Sequence, residues 1–215
     1  LERAKHPVVS RYCRRELWVV KAQMLMALDR HAEAVDYLNR AMALKDENND
    51  PLSEIFCTAT AGITYMGVDT ISTRAESAFR RACRVAERSG LSNYWLYPQA
   101  IGRLADIYLQ QGKYEESISL CREAIRLCEK SGSYHGKLVV AEILTEAYRL
   151  LGLYDEAFRY CAVGTGEPAR AEVDNNLIGR FFIAKAEIHN NLNRPDSALL
   201  VLAQADSCFD RTKND

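Results

Sequence analysis

The chain has 215 residues, 48% hydrophobic and 27% charged, and its 28 basic and 29 acidic side chains leave a net charge of −1. That balance gives no global electrostatic case for direct nucleic-acid binding or for an acidic membrane, and no apolar run approaches the ~20 residues that span a bilayer. Seven cysteines, at 13, 57, 83, 121, 128, 161 and 208, are odd in number and form no Cys-x-x-Cys pair, so neither a disulfide framework nor a zinc knuckle is signalled.

The first predicted element pair covers residues 15–46. Trp18, Ala22, Leu25 and Asp29 precede Ala34, Leu38 and Ala41, and the polar stretch Asp46 to Pro51 comes next. A second pair, 53–89, places Gly62 and Tyr65 in one helix and Ala75, Phe79 and Ala82 in the next, joined by a loop from Gly67 to Thr73. The third, 98–131, admits Pro98 in its first turn, where a missing N–H is harmless. It then repeats apolar residues three and four apart at Ile101, Leu104, Ile107 and Tyr108, the mark of an amphipathic helix. The helix breaks at Gln111-Gly112-Lys113, and acidic Glu115 and Glu116 open the next one, where they favour the positive helix end.

The fourth pair, 137–164, copies the third: Leu144 to Tyr148, a break at Leu151-Gly152-Leu153, then Asp155, Glu156 and Ala157. Gly164-Thr165-Gly166-Glu167-Pro168 reads as the connector that ends it. A fainter copy, 176–209, runs from Lys185 through His189 to Asn193, Pro195 and Ala198. Matched positions Ala22, Gly62, Ala105, Thr145 and Ala186 are spaced 40, 43, 40 and 41 residues apart. Units of that size cannot each hide an apolar face, so they stack into an array. Small residues such as Ala22, Ala34, Ala105, Ser117, Ala147 and Ala157 stand where helices should cross closely, and the cysteines, with Cys121 and Cys161 at matching positions, read as small buried hydrophobes. The helix-like start at Leu1 to His6 and the apolar stretch ending near Phe209 lack the polar caps an array requires, which predicts a piece of a longer protein.

These residues resemble the tetratricopeptide repeat, over about residues 16 to 209. Trp18 falls at the family's tryptophan position, Tyr65, Tyr108 and Tyr148 at its tyrosine position, and Ala34, Ser117, Ala157 and Ala198 at its small-residue position. The ~40-residue spacing is similar to the long-repeat variants of kinesin light chains and bacterial repeat-containing regulators. The resemblance implies an all-α, right-handed α-α superhelix of about five helix pairs, in one solenoid.

No catalytic constellation emerges. His6, His31, His135 and His189 are scattered, with no metal-ligand spacing. Gly164-Thr165-Gly166 lacks the lysine and hydroxyl residue of a phosphate loop. Neither an enzyme nor a bound cofactor or metal is expected. In this family the first helix of each unit lines the concave face. The resemblance therefore nominates Val19, Gln23, Met26, Phe56, Ile63 and Met66 as an apolar segment, and Arg103, Asp106, Glu142, Glu146, Arg149, Arg180, Glu187 and Asn190 as a mixed-charge one. An apolar segment beside a charged one suits a protein or peptide ligand; the competing readings are packing against flanking helices and a merely solvated face. The lysine and asparagine clamp of chaperone-binding relatives is not expected, because the comparable positions hold Val19, Gln23, Thr60, Gly102 and Asp106. Tyr94, Trp95 and Tyr97 form an aromatic cluster that is either an exposed hot spot or a seal beneath its connector. The expected function is a protein-binding scaffold; the alternative is the sensor region of a larger bacterial transcriptional or signalling regulator. The odd number of thiols favours the cytoplasm, with export after signal removal as the alternative.

Overall fold

A computed structural model describes residues 7–44, 50–68, 73–166 and 175–211. Those residues form ten helices and no strand: α1 Pro7–Ala27, α2 His31–Ala43, α3 Pro51–Val68, α4 Thr73–Arg88, α5 Leu96–Gln110, α6 Tyr114–Ser131, α7 Tyr134–Leu150, α8 Tyr154–Thr165, α9 Asn175–Asn191 and α10 Pro195–Arg211. They gather into two compact units, Leu1–Ile107 and Tyr108–Asp215. The stretch Leu1 to His6, most of the Asp46 to Pro51 connector, and Glu167 and Pro168 lie outside the described residues.

A four-residue turn recurs with the same hydrogen bonds. After α5, Gly112 N–H donates to Leu109 O at 3.0 Å and Lys113 N–H to Tyr108 O at 2.9 Å. After α7, Gly152 donates to Arg149 O and Leu153 to Tyr148 O in the same way. This is the Schellman closure, which needs a left-handed residue at its centre, and Gly112 and Gly152 sit at φ +74° and +73° at no Cβ cost. After α1 and α9 the same place is taken by Asp29 and Asn193, at φ +59° and +56°, two residue types that tolerate this region better than other side chains. The residue after each left-handed centre then accepts the first bond of the next helix: Arg30, Lys113, Leu153 and Arg194 carbonyls receive Ala34, Ser117, Ala157 and Ala198 N–H groups.

In the first unit α1 packs on α2, α3 on α4, and α3 also reaches back to both α1 and α2. That position explains why α3 is buried around most of its girth, including Ile55, Cys57, Ala59 and Ala61. Its threonines return their hydroxyls to the helix itself: Thr58 donates to Glu54 O at 2.7 Å and Thr64 to Thr60 O at 3.0 Å. Gly67 does not open a loop but lies within α3, where an added Cβ would stand 2.9 Å from Met26 Cε on α1.

In the second unit α7 packs on α6 and α8, and α9 on α7, α8 and α10. Small residues are buried on both members of a pair: Thr145 and Ala157 are fully buried, as are Ala22 and Ala34 in the first unit. One expectation is corrected here. Gly164 does not end α8, which continues through Thr165. It is buried inside the helix, and a Cβ there would come within 2.1 Å of Phe181 Cδ2 on α9. The glycine permits close approach between helices and takes no part in terminating α8.

A second device joins successive pairs. Tyr65 on α3 donates its hydroxyl to Asn39 Oδ1 on α2 at 2.6 Å. Arg122 on α6 donates to the Tyr148 hydroxyl on α7 at 2.8 Å. Asn39 and Arg122 both stand five residues after the small crossing residue, Ala34 or Ser117, so the tyrosine position makes the same cross-link twice. The next copy breaks it. His189 replaces tyrosine and Ala162 replaces the partner; His189 Nδ1 is buried without a hydrogen bond. Burial first, then the charges of Lys185 and Arg194, lower its pKa, so the ring favours the neutral form.

Candidate functional site

The mixed-charge residues of α7 and α9 come together. Arg149 grips Glu146, one turn earlier on α7, with Nε to Oε2 at 2.7 Å, and its Nε also lies 3.2 Å from Glu187 Oε2 on α9. Arg180 Nη2 on α9 pairs with Glu142 Oε2 on α7 at 2.9 Å. Two guanidiniums thus face three carboxylates across adjacent helices. The Arg149 side chain is 17% exposed; its hydrogen bonds to Glu146 are the main reason its guanidinium is held more firmly charged than usual. Glu187 and Arg180 are about half exposed. Glu187 and Asn190 also border a cavity of about 430 Å³ between α9 and α10, with apolar walls from Ile183, Leu199 and Leu202. The face is therefore internally paired, yet keeps polar atoms turned to solvent.

In the first unit Gln23 and Ile63 are exposed, and Met26, Phe56 and Met66 are half-buried on the neighbouring helices α1 and α3. Val19 cannot belong to a binding face: it is fully buried. The reason is its phase on α1, because Arg15, Val19 and Ala22 recur on the inward arc and all three are buried. Arg103 is exposed and Asp106 half-buried on α5.

The aromatic cluster divides. Tyr97 is buried in the first turn of α5, and its hydroxyl donates to Glu87 Oε1 at 3.1 Å, sealing the connector against α4. Trp95 is 54% exposed and stacks edge-on with half-buried Tyr94, with ring centroids 6.0 Å apart. Tyr97 thus follows the seal reading, and Trp95 is the solvent-facing member.

Sequence reading missed an exposed apolar stripe on α1, formed by Leu17, Val20, Met24 and Leu28. The missed signal was a period of three and four residues running alongside the buried one. Burial raises the Cys57 and Cys161 thiols to about 11, which keeps them protonated and unreactive at neutral pH. Among the described residues no group of three or more histidines, cysteines or carboxylates could hold a metal ion, and no helix is long and apolar enough to cross a membrane.

Helix pairs with a recurrent turn, in which α3 packs against α1 and α2, α7 against α6, and α9 against α7 and α8, define a helical-repeat protein. Two tetratricopeptide repeat family models match, one over residues 16–48 and one over residues 97–160, and together with the helical-repeat fold they support a protein of the tetratricopeptide repeat family. No curated protein matches the sequence. Among solved structures, a variant of a Podosopora anserina kinesin light chain with nearly identical TPR-like repeats is 15% identical, with a TM-score of 0.76 over 95% of this chain and 98% of that one. BtubC from P. vanneervenii is 13% identical, with a TM-score of 0.72 over 98% and 94%. A signal transduction ATPase with a tetratricopeptide repeat sensor, from Pyrococcus horikoshii, is 18% identical, with a TM-score of 0.63; the match covers 91% of this chain and 36% of that one. At these identities the likeness is one of fold.

Proposed function

We propose that the chain is a non-enzymatic scaffold that binds a protein segment on the first helices of its pairs. The observation that carries this reading is the α7–α9 face, where Glu142, Glu146 and Glu187 outnumber Arg149 and Arg180 and lie partly open to solvent. Paired charges on a preformed helical surface cost little ordering when a ligand arrives. The excess of negative charge on this face favours a segment that carries a lysine or arginine. Glu187 is the residue to reverse, because it is half exposed and its loss leaves Arg149 still bound to Glu146.

The test is selection of random peptides on the immobilised 215-residue chain, followed by titration calorimetry with the selected sequences. Basic peptides are expected, with binding weakened about tenfold or more by Glu187→Lys, or ~1.4 kcal/mol. Failure to select any peptide, or affinity untouched by Glu187→Lys, rejects the assignment.

A second reading, a sensor region within a larger regulator, is favoured by the likeness to the Pyrococcus horikoshii protein, whose repeats are described as its sensor. Ligand binding would then bias the stacking of the pairs. Small-angle scattering of the full-length protein, unchanged by every ligand that binds, would count against it.

A further inference from the structure

The second and fourth helix pairs set a tyrosine at the same place and cover it differently. In the fourth pair Tyr160 on α8 lies flat on Tyr148 of α7, with ring centroids 5.6 Å apart and planes 9° from parallel. In the repeat register Tyr148 corresponds to Tyr65, three residues after Thr145 and Gly62; Tyr160 corresponds to Ala78, three residues after Ala157 and Ala75. The second pair carries its ring one residue later. Phe79 turns inward, 1% exposed, beneath Gly62, where an added Cβ would lie 2.7 Å from the ring. The fourth pair has Cys161 and Thr145 at those two places. With the ring drawn inward, only the Ala78 methyl group stands beside Tyr65.

The result is a cleft of about 530 Å³ between α2, α3 and α4, lined by Tyr65, Thr73, Arg74, Ser77, Ala78 and Arg81 among others, a volume that suits a small molecule. One wall is fixed, because the Tyr65 hydroxyl is tied to Asn39 Oδ1 at 2.6 Å. The charge of the cleft is one-sided. Arg74, Ser77, Ala78 and Arg81 are spaced three and four apart, so they share one face of α4. Thr73 opens the same helix at its positive end. Among the described residues no carboxylate lines the cleft. Arg81 Nε donates to Glu54 Oε1 at 2.8 Å, which positions a guanidinium that carries further N–H donors. Burial raises the Tyr65 pKa and the charge of Arg74 opposes it, so Arg74 acts at the tyrosine end of the cleft. The fourth pair holds Glu156 and Val163 where the second holds Arg74 and Arg81. Of the two pairs, the one with the open ring position is the one with the two arginines.

We propose that this cleft binds an aryl phosphate, its ring stacked on Tyr65 as Tyr160 is stacked on Tyr148, and its phosphate held by Arg74 and Arg81. The Ser77 and Thr73 hydroxyls add donors. Two guanidiniums suit a doubly charged group with three oxygens, and the stacked ring adds selectivity for an aromatic ester. The site shares no residue with the α7–α9 face.

Titration calorimetry of the 215-residue chain with phenyl phosphate tests the proposal. Phenyl phosphate is expected to bind, and inorganic phosphate and phenol, each carrying one half of the ligand, to bind about tenfold more weakly or less. Arg74→Gln is expected to weaken phenyl phosphate about tenfold and to leave phenol unchanged. Ala78→Tyr supplies the ring that the fourth pair has and should abolish binding. The far-ultraviolet circular dichroism of that variant should match the parent; where it does not, Ser77→Glu, at an exposed position, replaces it. A peptide carrying phosphotyrosine, titrated alongside, separates the sources of the group. Tighter binding than phenyl phosphate assigns it to a protein side chain, and equal or weaker binding to a free small molecule. The proposal is overturned if phenyl phosphate does not bind, if inorganic phosphate binds as tightly, or if the substitutions leave its affinity unchanged.

Discussion

At the scale of single residues, glycine does two different jobs that composition cannot separate. Gly112 and Gly152 supply left-handed turns, while Gly164 makes room for the Phe181 ring. Gly164→Ala is expected to cost ~1–3 kcal/mol, because the ring is fully buried and has nowhere to retreat; a thermal or urea melt measures it, and an unchanged midpoint would contradict the packing. The turn glycines were legible in sequence because a break follows an amphipathic run, and Asp29 and Asn193 were legible through their register. Gly164 was not, since only a ring 17 residues further on gives it its purpose. Val19 was misplaced for a related reason. Family geometry nominates a helix face, but burial is decided by a phase difference of a single residue along the helix.

At the scale of helices, the pairs hold together through small residues at their crossings. Ala157 on α8 and Thr145 on α7 are fully buried, and Thr145 returns its hydroxyl to Ala141 O at 2.9 Å. Ala157→Leu is expected to destabilise the chain by ~1–3 kcal/mol through overpacking, measured as a shift in the urea midpoint at unchanged slope. Full stability would mean that the crossing lies elsewhere. This register could be read from the sequence because the third and fourth units nearly copy each other. The ion pairs linking α7 and α9 could not, because a charge at helical spacing reads the same whether its partner is solvent or the next helix.

At the scale of the whole molecule, each compact unit buries reactive sulfur. Cys57 in the first and Cys161 in the second are almost wholly shielded, with their thiols raised to about 11, whereas Cys208 is half-buried. Burial disfavours the thiolate, so reactivity should stay low at pH 8 and increase only as the pH climbs towards that value or as the fold opens. Brief iodoacetamide treatment at pH 8, with peptide mass analysis afterwards, is expected to modify Cys208 and spare Cys57 and Cys161; early labelling of either buried thiol would show that its unit opens readily.

The missing tyrosine link at His189 has a consequence for how the chain comes apart. The seams before α3 and α7 each carry a side-chain bond that must rupture before the helices separate. The seam before α9 buries an unsatisfied ring nitrogen in place of that link, and the Arg149–Glu187 and Arg180–Glu142 pairs that cross it lie partly in solvent, where such pairs hold helices only weakly. Fluctuations away from the native state should therefore begin there. The α9–α10 hairpin would lift off as a subglobal opening while the rest stays folded, and its backbone amides would be among the first to trade protons with solvent.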